Sequence, residues 1–158
     1  MSATTRVATP ADTEFVLECL TALHKEIRRV GGAVVDGPNT KHWVQRLALR
    51  STMGDGVCVV AMEGDTLVGA SVSIPIDWEF DSVYGKTAGG LGTYVLPNYR
   101  KLGVADALYT KMKAELTQRG YDSYVGGYAK DNTKVQGLLK RQGFQDVDTT
   151  VVVWLKEN

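Results

Sequence analysis

TYVLPNYRKLGVADAL, residues 93–108, is the stretch from which the rest of the 158-residue chain is read. A short apolar run, Tyr94-Val95-Leu96, stops at Pro97. A basic loop follows, Arg100-Lys101-Leu102-Gly103-Val104-Ala105, and then a helical pattern begins. Strand, glycine-containing loop and helix in that order hold an anion well. The first N–H groups of a helix lack intrahelical partners and carry a partial positive charge. Gly103 lets a ligand come close to the backbone and tolerates positive φ. Ala105 is small where a phosphate needs room, and Arg100 and Lys101 add positive charge. The loop is neither of the two commonest phosphate loops. A P-loop ends in Gly-Lys-Ser/Thr, whereas Val104-Ala105 follows Gly103. A dinucleotide fingerprint follows its strand, whereas Gly90-Leu91-Gly92 precedes this one.

A second pattern lies downstream. Asn132, Val135, Leu138, Leu139, Gly143 and Phe144 mark a short helix ending in Gly-Phe, one helix and one strand beyond the loop. Upstream, Arg6-Val7-Ala8-Thr9-Pro10-Ala11-Asp12 reads as a strand entering a helix. Taken together these segments resemble the GNAT superfamily of acyl-CoA-dependent N-acyltransferases. Arg100, Gly103 and Ala105 match its Arg/Gln-x-x-Gly-x-Gly/Ala pyrophosphate loop, with Pro97 and Leu108 in the flanks. The segment 132–144 follows its Asn-x-x-small-x-x-apolar-Tyr-x-x-x-Gly-Phe helix, except that leucine stands at position 139 where the family has tyrosine. The resemblance covers nearly the whole chain.

It implies one domain over residues 1–158 of α/β (α+β) class. The expected sheet is mixed, mainly antiparallel and of six to seven strands. Helices lie on both faces, and one parallel strand pair splays apart to admit the pantetheine arm of acetyl-CoA.

Composition agrees with a globular domain: 44% hydrophobic, 23% charged and zero net charge. Zero net charge makes no global case for nucleic acid or an anionic membrane. No apolar run has the length of a membrane span, so no membrane partner is expected. The opening MSATTRVATPAD lacks the apolar region of an export signal. Cys19 and Cys58 stand in an apolar helix and an apolar strand, and read as buried free thiols of a reducing, cytoplasmic compartment. No Cys/His spacing suggests a metal.

Periodicity supplies the other elements. Residues 4–8 read as a first strand, and Thr9 caps a helix with Pro10 at its first position. Val16, Leu20, Leu23, Ile27 and Val30 form one apolar helical face, ended by Gly31-Gly32. Trp43, Val44, Leu47 and Ala48 mark a second helix. Strands follow at 57–62 and 67–74, with Pro75 expected to end pairing. A long segment, 76–90, carries Trp78, Phe80 and Tyr84 among Asp77, Glu79 and Asp81. Strands are expected at 122–129, with a break at Gly126-Gly127, and at 151–155.

Acyl transfer from a thioester to an amine needs four things. Arg100, Lys101, Leu102, Gly103, Val104 and Ala105 would grip the pyrophosphate. Backbone at Tyr94, Val95 and Leu96 would pair with the pantetheine as an added strand. By the resemblance, Asn132 would hydrogen-bond the same arm, while the local reading makes it a helix N-cap. The N–H of Val95 is the expected oxyanion donor. An alkylamine, with a pKa near ~10, must lose a proton before attack. The family's carboxylate on the strand before the loop is replaced by Leu91, Gly92 and Thr93. Glu79 and Asp77, with Asp81, are the substitutes, and the other reading of each is a solvated loop. The departing thiolate needs a proton, and Leu139 cannot give one. Tyr128 is the first alternative, with Tyr124, Tyr94 and Tyr84 behind it.

The expected reaction is acetyl transfer to a primary amine. A small amine drawn to the acidic loop comes first. An amine on a protein or on modified nucleic acid, met by the cationic first helices, is the alternative. A non-catalytic acyl-CoA-binding domain is the reading that Leu139 favours. The apolar end VVVWL suggests a homodimer through a strand edge.

Overall fold

The architecture comes from a computed structural model, and the residues described are 3–29, 39–76, 85–128 and 132–146, without the side chains of Arg28 and Arg29. Five strands run β1 (Thr4–Val7), β2 (Val57–Glu63), β3 (Thr66–Ile76), β4 (Thr87–Val95) and β5 (Ser123–Val125). They form one sheet in that order. β1 to β4 pair antiparallel, and β4 pairs with β5 in parallel. The helices are α1 (Thr13–Arg29), α2 (Thr40–Met53), α3 (Val104–Gln118) and α4 (Thr133–Arg141).

Side-chain alternation along the strands divides the core into two layers. α1 and α2 pack Val16, Leu20, Val44 and Leu47 on Cys58, Val60, Ala70 and Val72. On the opposite face α3 packs Val104, Leu108, Met112 and Leu116 on Val57, Val59, Val68 and Val95. The helical spacing of 104, 108, 112 and 116 is what gives α3 this one buried stripe.

The mixed sheet and two-sided helices match the expected class, with three corrections. The strand count is five among the described residues, not six to seven; the expected strand at 151–155 lies outside them. β5 covers three residues rather than 122–129, because pairing ends before Gly126-Gly127. Pro75 does not end β3 but pairs opposite Ala88. The reason is local. Pairing with β2 stops at Val57 opposite Ser73, and alternation turns the Pro75 nitrogen toward that vacated edge, where no N–H is needed.

Chain entry is held by a buried carboxylate. Pro10–Asp12 is a 3-10 turn rather than the first turn of α1. Asp12 accepts the backbone N–H of Thr9 at 2.7 Å and a forked pair from Arg6 at 2.7 and 3.1 Å. The Arg6 hydrogen bond is the main cause that holds its carboxyl below the usual range. No helix among the described residues is long and apolar enough to cross a membrane.

Two predictions follow from the buried groups. Asp12 keeps its charge to lower pH in the folded chain than in the unfolded one. It therefore stabilises the fold above the ordinary carboxylate pKa, and this is lost as pH falls through the lowered folded value. Asp12→Asn is expected to cost about 1–3 kcal/mol in urea unfolding at neutral pH and to flatten the acid limb below about pH 4. Burial pushes both thiols up to about 12, so neither Cys19 nor Cys58 should react with a thiol reagent at mildly alkaline pH until the chain is unfolded.

Candidate functional site

The site begins where two strands part. β5 pairs with β4 only at Thr87, Ala88 and Gly89, yet β4 continues to Val95. Beyond Gly89 the outer edge of β4 has no strand beside it among the described residues. A bulge shapes the same strand. Val72 pairs with Gly92 and Ser73 with Gly90, so Leu91 is the extra residue. Two glycines fit tight surroundings there. A Cβ on Gly90 would lie 2.7 Å from the Tyr124 ring, and one on Gly92 2.7 Å from Leu23.

Backbone direction decides what the open edge offers. The N–H of Leu96 donates to Val68 O at 2.9 Å, so it faces β3. Alternation then turns the N–H and C=O of Val95 to the open edge, and Thr93 shares that direction. Of the three expected backbone positions, Val95 presents to the fork, while Tyr94 and Leu96 turn to β3. Thr93 is a position that sequence reading missed; the bulge that sets its phase left no signal in residue type.

Past Val95 the chain makes a 3-10 turn at Pro97–Tyr99 and then the basic loop. Lys101 has φ 64° and Gly103 φ 81°, both left-handed. Gly103 is the N-cap of α3, whose first i to i−4 bond runs from Ala107 N–H to Gly103 O at 3.0 Å. The N–H groups before Ala107 are thus the helix's unpaired first donors. A Cβ on Gly103 would meet nothing within 4 Å: the space above the loop is open. Lys101 and Leu102 are exposed, Val104 is buried, and Ala105 is half-buried against the α3 layer.

Arg100 does not point into that space. Its Nε donates to Val95 O at 2.9 Å and its Nη2 to Glu26 Oε1 at 2.8 Å. The same Glu26 oxygen accepts the Tyr94 hydroxyl at 3.3 Å, and the guanidinium lies 5.1 Å from the Tyr94 ring centre. Glu26, late in α1, therefore ties the loop to the helix layer opposite α3. It lies some 70 residues from its partners in sequence, and no local pattern marked it.

α4 is bracketed to α3. Asp106, in the first turn of α3, accepts Gln142 Nε2 at 2.8 Å and pairs with Arg141 at 3.2 Å. Asn132 caps α4, its Oδ1 accepting the Val135 N–H at 3.3 Å. The cap uses the oxygen alone, so the two amide donors lie on the other arm of the group. Leu139 is buried at 5% exposure. Tyr128 is 42% exposed, and its hydroxyl donates to Asp146 at 3.0 Å. That hydrogen bond leads the causes raising its pKa. Asp77, Glu79 and Asp81, with Tyr84, lie outside the described residues. No group of three His, Cys, Asp or Glu among the described residues is placed to hold a metal.

Comparison with known proteins gives three findings. The model of the acetyltransferase (GNAT) family matches residues 20–144. No curated protein matches. Solved structures do. A GCN5-related N-acetyltransferase from Ralstonia eutropha aligns at TM-score 0.77 and 21% identity, over 98% of this chain and 100% of that one. AAC(6')-Iy in complex with the bisubstrate analogue CoA-S-monomethyl-acetylneamine aligns at TM-score 0.72 and 16% identity, over all of both chains. A predicted acetyltransferase from Clostridium acetobutylicum with acetyl-CoA aligns at TM-score 0.72 and 18% identity, over 99% and 96%.

The two glycines of the site should respond differently to Ala. Gly90→Ala forces the Tyr124 ring aside and is expected to cost about 1–3 kcal/mol by overpacking. Gly103→Ala meets no atom and should cost only the left-handed backbone penalty, about 1–2 kcal/mol. Paired urea titrations distinguish the two.

Proposed function

Because this chain belongs to the acetyltransferase (GNAT) family, we propose that it transfers the acetyl group of acetyl-CoA to a primary amine by direct attack within a ternary complex. One observation carries the reading: the edge of β4 left without a strand among the described residues leads to a left-handed loop with open space at Gly103, the N-cap of a helix whose first N–H groups have no intrahelical partner. A strand-like arm ending in phosphates fits that sequence of surfaces. Val95 and Thr93 would meet the pantetheine amides, Asn132 would donate to the same arm from its capping position, and residues 101–105 would cradle the pyrophosphate. Arg100 would act by fixing Val95 and the loop rather than by touching phosphate. The relatives solved with acetyl-CoA and with a CoA bisubstrate analogue support this choice of donor.

The thioester carbonyl would be polarised by the Val95 N–H, an edge-facing donor that needs no reorganisation. The amine nitrogen forms the new bond to carbon, and the C–S bond breaks with its electron pair on sulfur. Asp77 and Glu79, with Asp81, are proposed to draw and deprotonate the amine. Tyr128 is the nearest exposed phenol to the end of β5 and would serve as an acid only after leaving Asp146.

A small cationic amine is the proposed acceptor, since one similar structure holds a bisubstrate analogue that joins CoA to an acetylneamine and the 77–81 segment is acidic. A macromolecular acceptor gains less support: of the cations on the first two helices, among them Lys25, Lys41, Arg46 and Arg50, Arg50 is already paired with Asp55. The second reading, an acyl-CoA-binding domain without turnover, rests on Leu139 and has Leu139→Tyr as its probe.

Calorimetric titration with acetyl-CoA tests the proposal. The wild type should bind, and Gly103→Glu, which places a carboxylate in the anion space, should weaken binding at least about tenfold, or about 1.4 kcal/mol. Wild-type protein that releases no heat and shows no competition with acetyl-CoA would sink the acyl-transfer reading.

A further inference from the structure

The Val95 N–H lies between two peptide groups, and a different side chain reaches each. On its carboxyl side, the Val95–Leu96 peptide is fixed at both ends. The Leu96 N–H donates to Val68 O at 2.9 Å, and the Val95 carbonyl accepts Arg100 Nε at 2.9 Å. On its amino side, the N–H shares a peptide with Tyr94, whose backbone pairs opposite Ala70. The Tyr94 side chain is buried in the α1 layer, and its hydroxyl donates to Glu26 Oε1 at 3.3 Å.

The same Oε1 accepts Arg100 Nη2 at 2.8 Å. One carboxylate oxygen thus closes a circuit. It runs from the Tyr94 phenol to Glu26, to the Arg100 guanidinium, to the Val95 carbonyl, and back along the backbone past the Val95 N–H to Tyr94. The guanidinium lies 5.1 Å from the centre of the Tyr94 ring, which holds the two arms of the circuit together.

The parts suit orientation better than stability. A guanidinium presents Nε and Nη2 in a rigid fork, so the place of Glu26 sets the angle at which Nε meets the Val95 carbonyl. The Arg100 and Glu26 side chains are 39% and 28% exposed, and ion pairs so open to solvent contribute little to folding. Helix α1, strand β4 and the loop nonetheless each send a side chain to this one backbone position. A donor that stabilises an oxyanion has to be aimed before the charge forms, and a closed circuit around the N–H does that.

We propose that Glu26 is a positioning residue: through Arg100 and Tyr94 it holds the Val95 N–H in the direction from which it polarises the thioester carbonyl. This deepens the acetyl-transfer reading and rests on it. Glu26 itself touches neither coenzyme nor amine. The loop 101–105 grips phosphate without it, so losing Glu26 separates polarisation from binding. The Arg100 charge, freed of its counter-ion beside an anion site, does not weaken the hold on the coenzyme.

The test reads the carbonyl itself and needs no acceptor. Acetyl-CoA with a heavy isotope at the acetyl carbonyl carbon is bound to wild type, Glu26→Leu, Glu26→Gln and Tyr94→Phe, and its carbonyl stretch is followed by infrared difference spectroscopy. Calorimetry gives the Kd for acetyl-CoA, and thermal unfolding verifies each fold. In the wild type the band should lie below that of acetyl-CoA in buffer. Glu26→Leu should return it toward the buffer position while Kd stays within about threefold of wild type. Glu26→Gln keeps an acceptor oxygen and should hold the wild-type band. Tyr94→Phe opens the circuit at one link and should lose part of the shift; it decides the matter if Glu26→Leu does not fold. A wild-type band in every folded variant that opens the circuit would overturn the proposal. A Glu26→Gln band displaced as far as that of Glu26→Leu would do the same. So would a Kd weakened beyond threefold in Glu26→Leu, which would make the residue part of the coenzyme's grip. A wild type that binds acetyl-CoA with its band at the buffer position overturns it too, for Val95 then polarises nothing. Failure of the wild type to bind acetyl-CoA at all would instead remove the acetyl-transfer reading, and this inference with it.

Discussion

The parting of β4 from β5 after three paired residues governs most of what surrounds it. A parallel pair of this kind ordinarily continues until one strand ends. Here β5 ends first, at Val125, while β4 runs on for six residues with no strand on that edge among the described residues. A bare edge inside a domain is tolerable only if something else meets its polar groups. Arg100 supplies part of that by donating to the Val95 carbonyl, and no strand among the described residues meets the rest. The Leu91 bulge, the turn at Pro97 and the left-handed loop all serve to aim that edge at the first turn of α3.

The two faces of the sheet do different work at the fork. On the α1 side, Tyr94 is buried and holds Glu26, which in turn holds Arg100, so the helix layer and the loop are one mechanical unit. On the α3 side the packing is softer in chemistry, with hydroxyl and phenol groups between aliphatic ones. The Asp106 bracket to Gln142 and Arg141 keeps α4 pressed to α3 beside them. One side of the fork is thus tied down by an ion pair, while on the other the hydroxyls of Ser71 and Thr93, cross-strand partners of β3 and β4, pair with each other at 2.7 Å within the packing.

How much of this was legible beforehand depended on range. The loop from 100 to 105 was readable because anion binding at a helix start is local: Gly103 and Ala105 mark it within six residues. Asn132 was readable as a cap for the same reason, and the α3 stripe followed from its spacing of four. The length of β5 was not readable. Residues 122–129 have a strand's composition, and only tertiary geometry decides that pairing stops before Gly126. Pro75 was misjudged because a proline's tolerance depends on which neighbour its nitrogen faces, and that neighbour, β2, ends elsewhere in the chain. Glu26 and the Ser71–Thr93 pair were invisible for the same reason. Each is an ordinary residue until the fold brings a distant partner to it.

The bond from Arg100 to the Val95 carbonyl has a further consequence, for association between copies of the chain. An uncovered strand edge is a template on which another strand can add, because donors and acceptors alternate along it in the register a partner needs. Arg100 interrupts that alternation by occupying the Val95 carbonyl, an acceptor at the edge's far end. The edge remains receptive to a slender arm that needs a few donors and is poorly matched to a full strand.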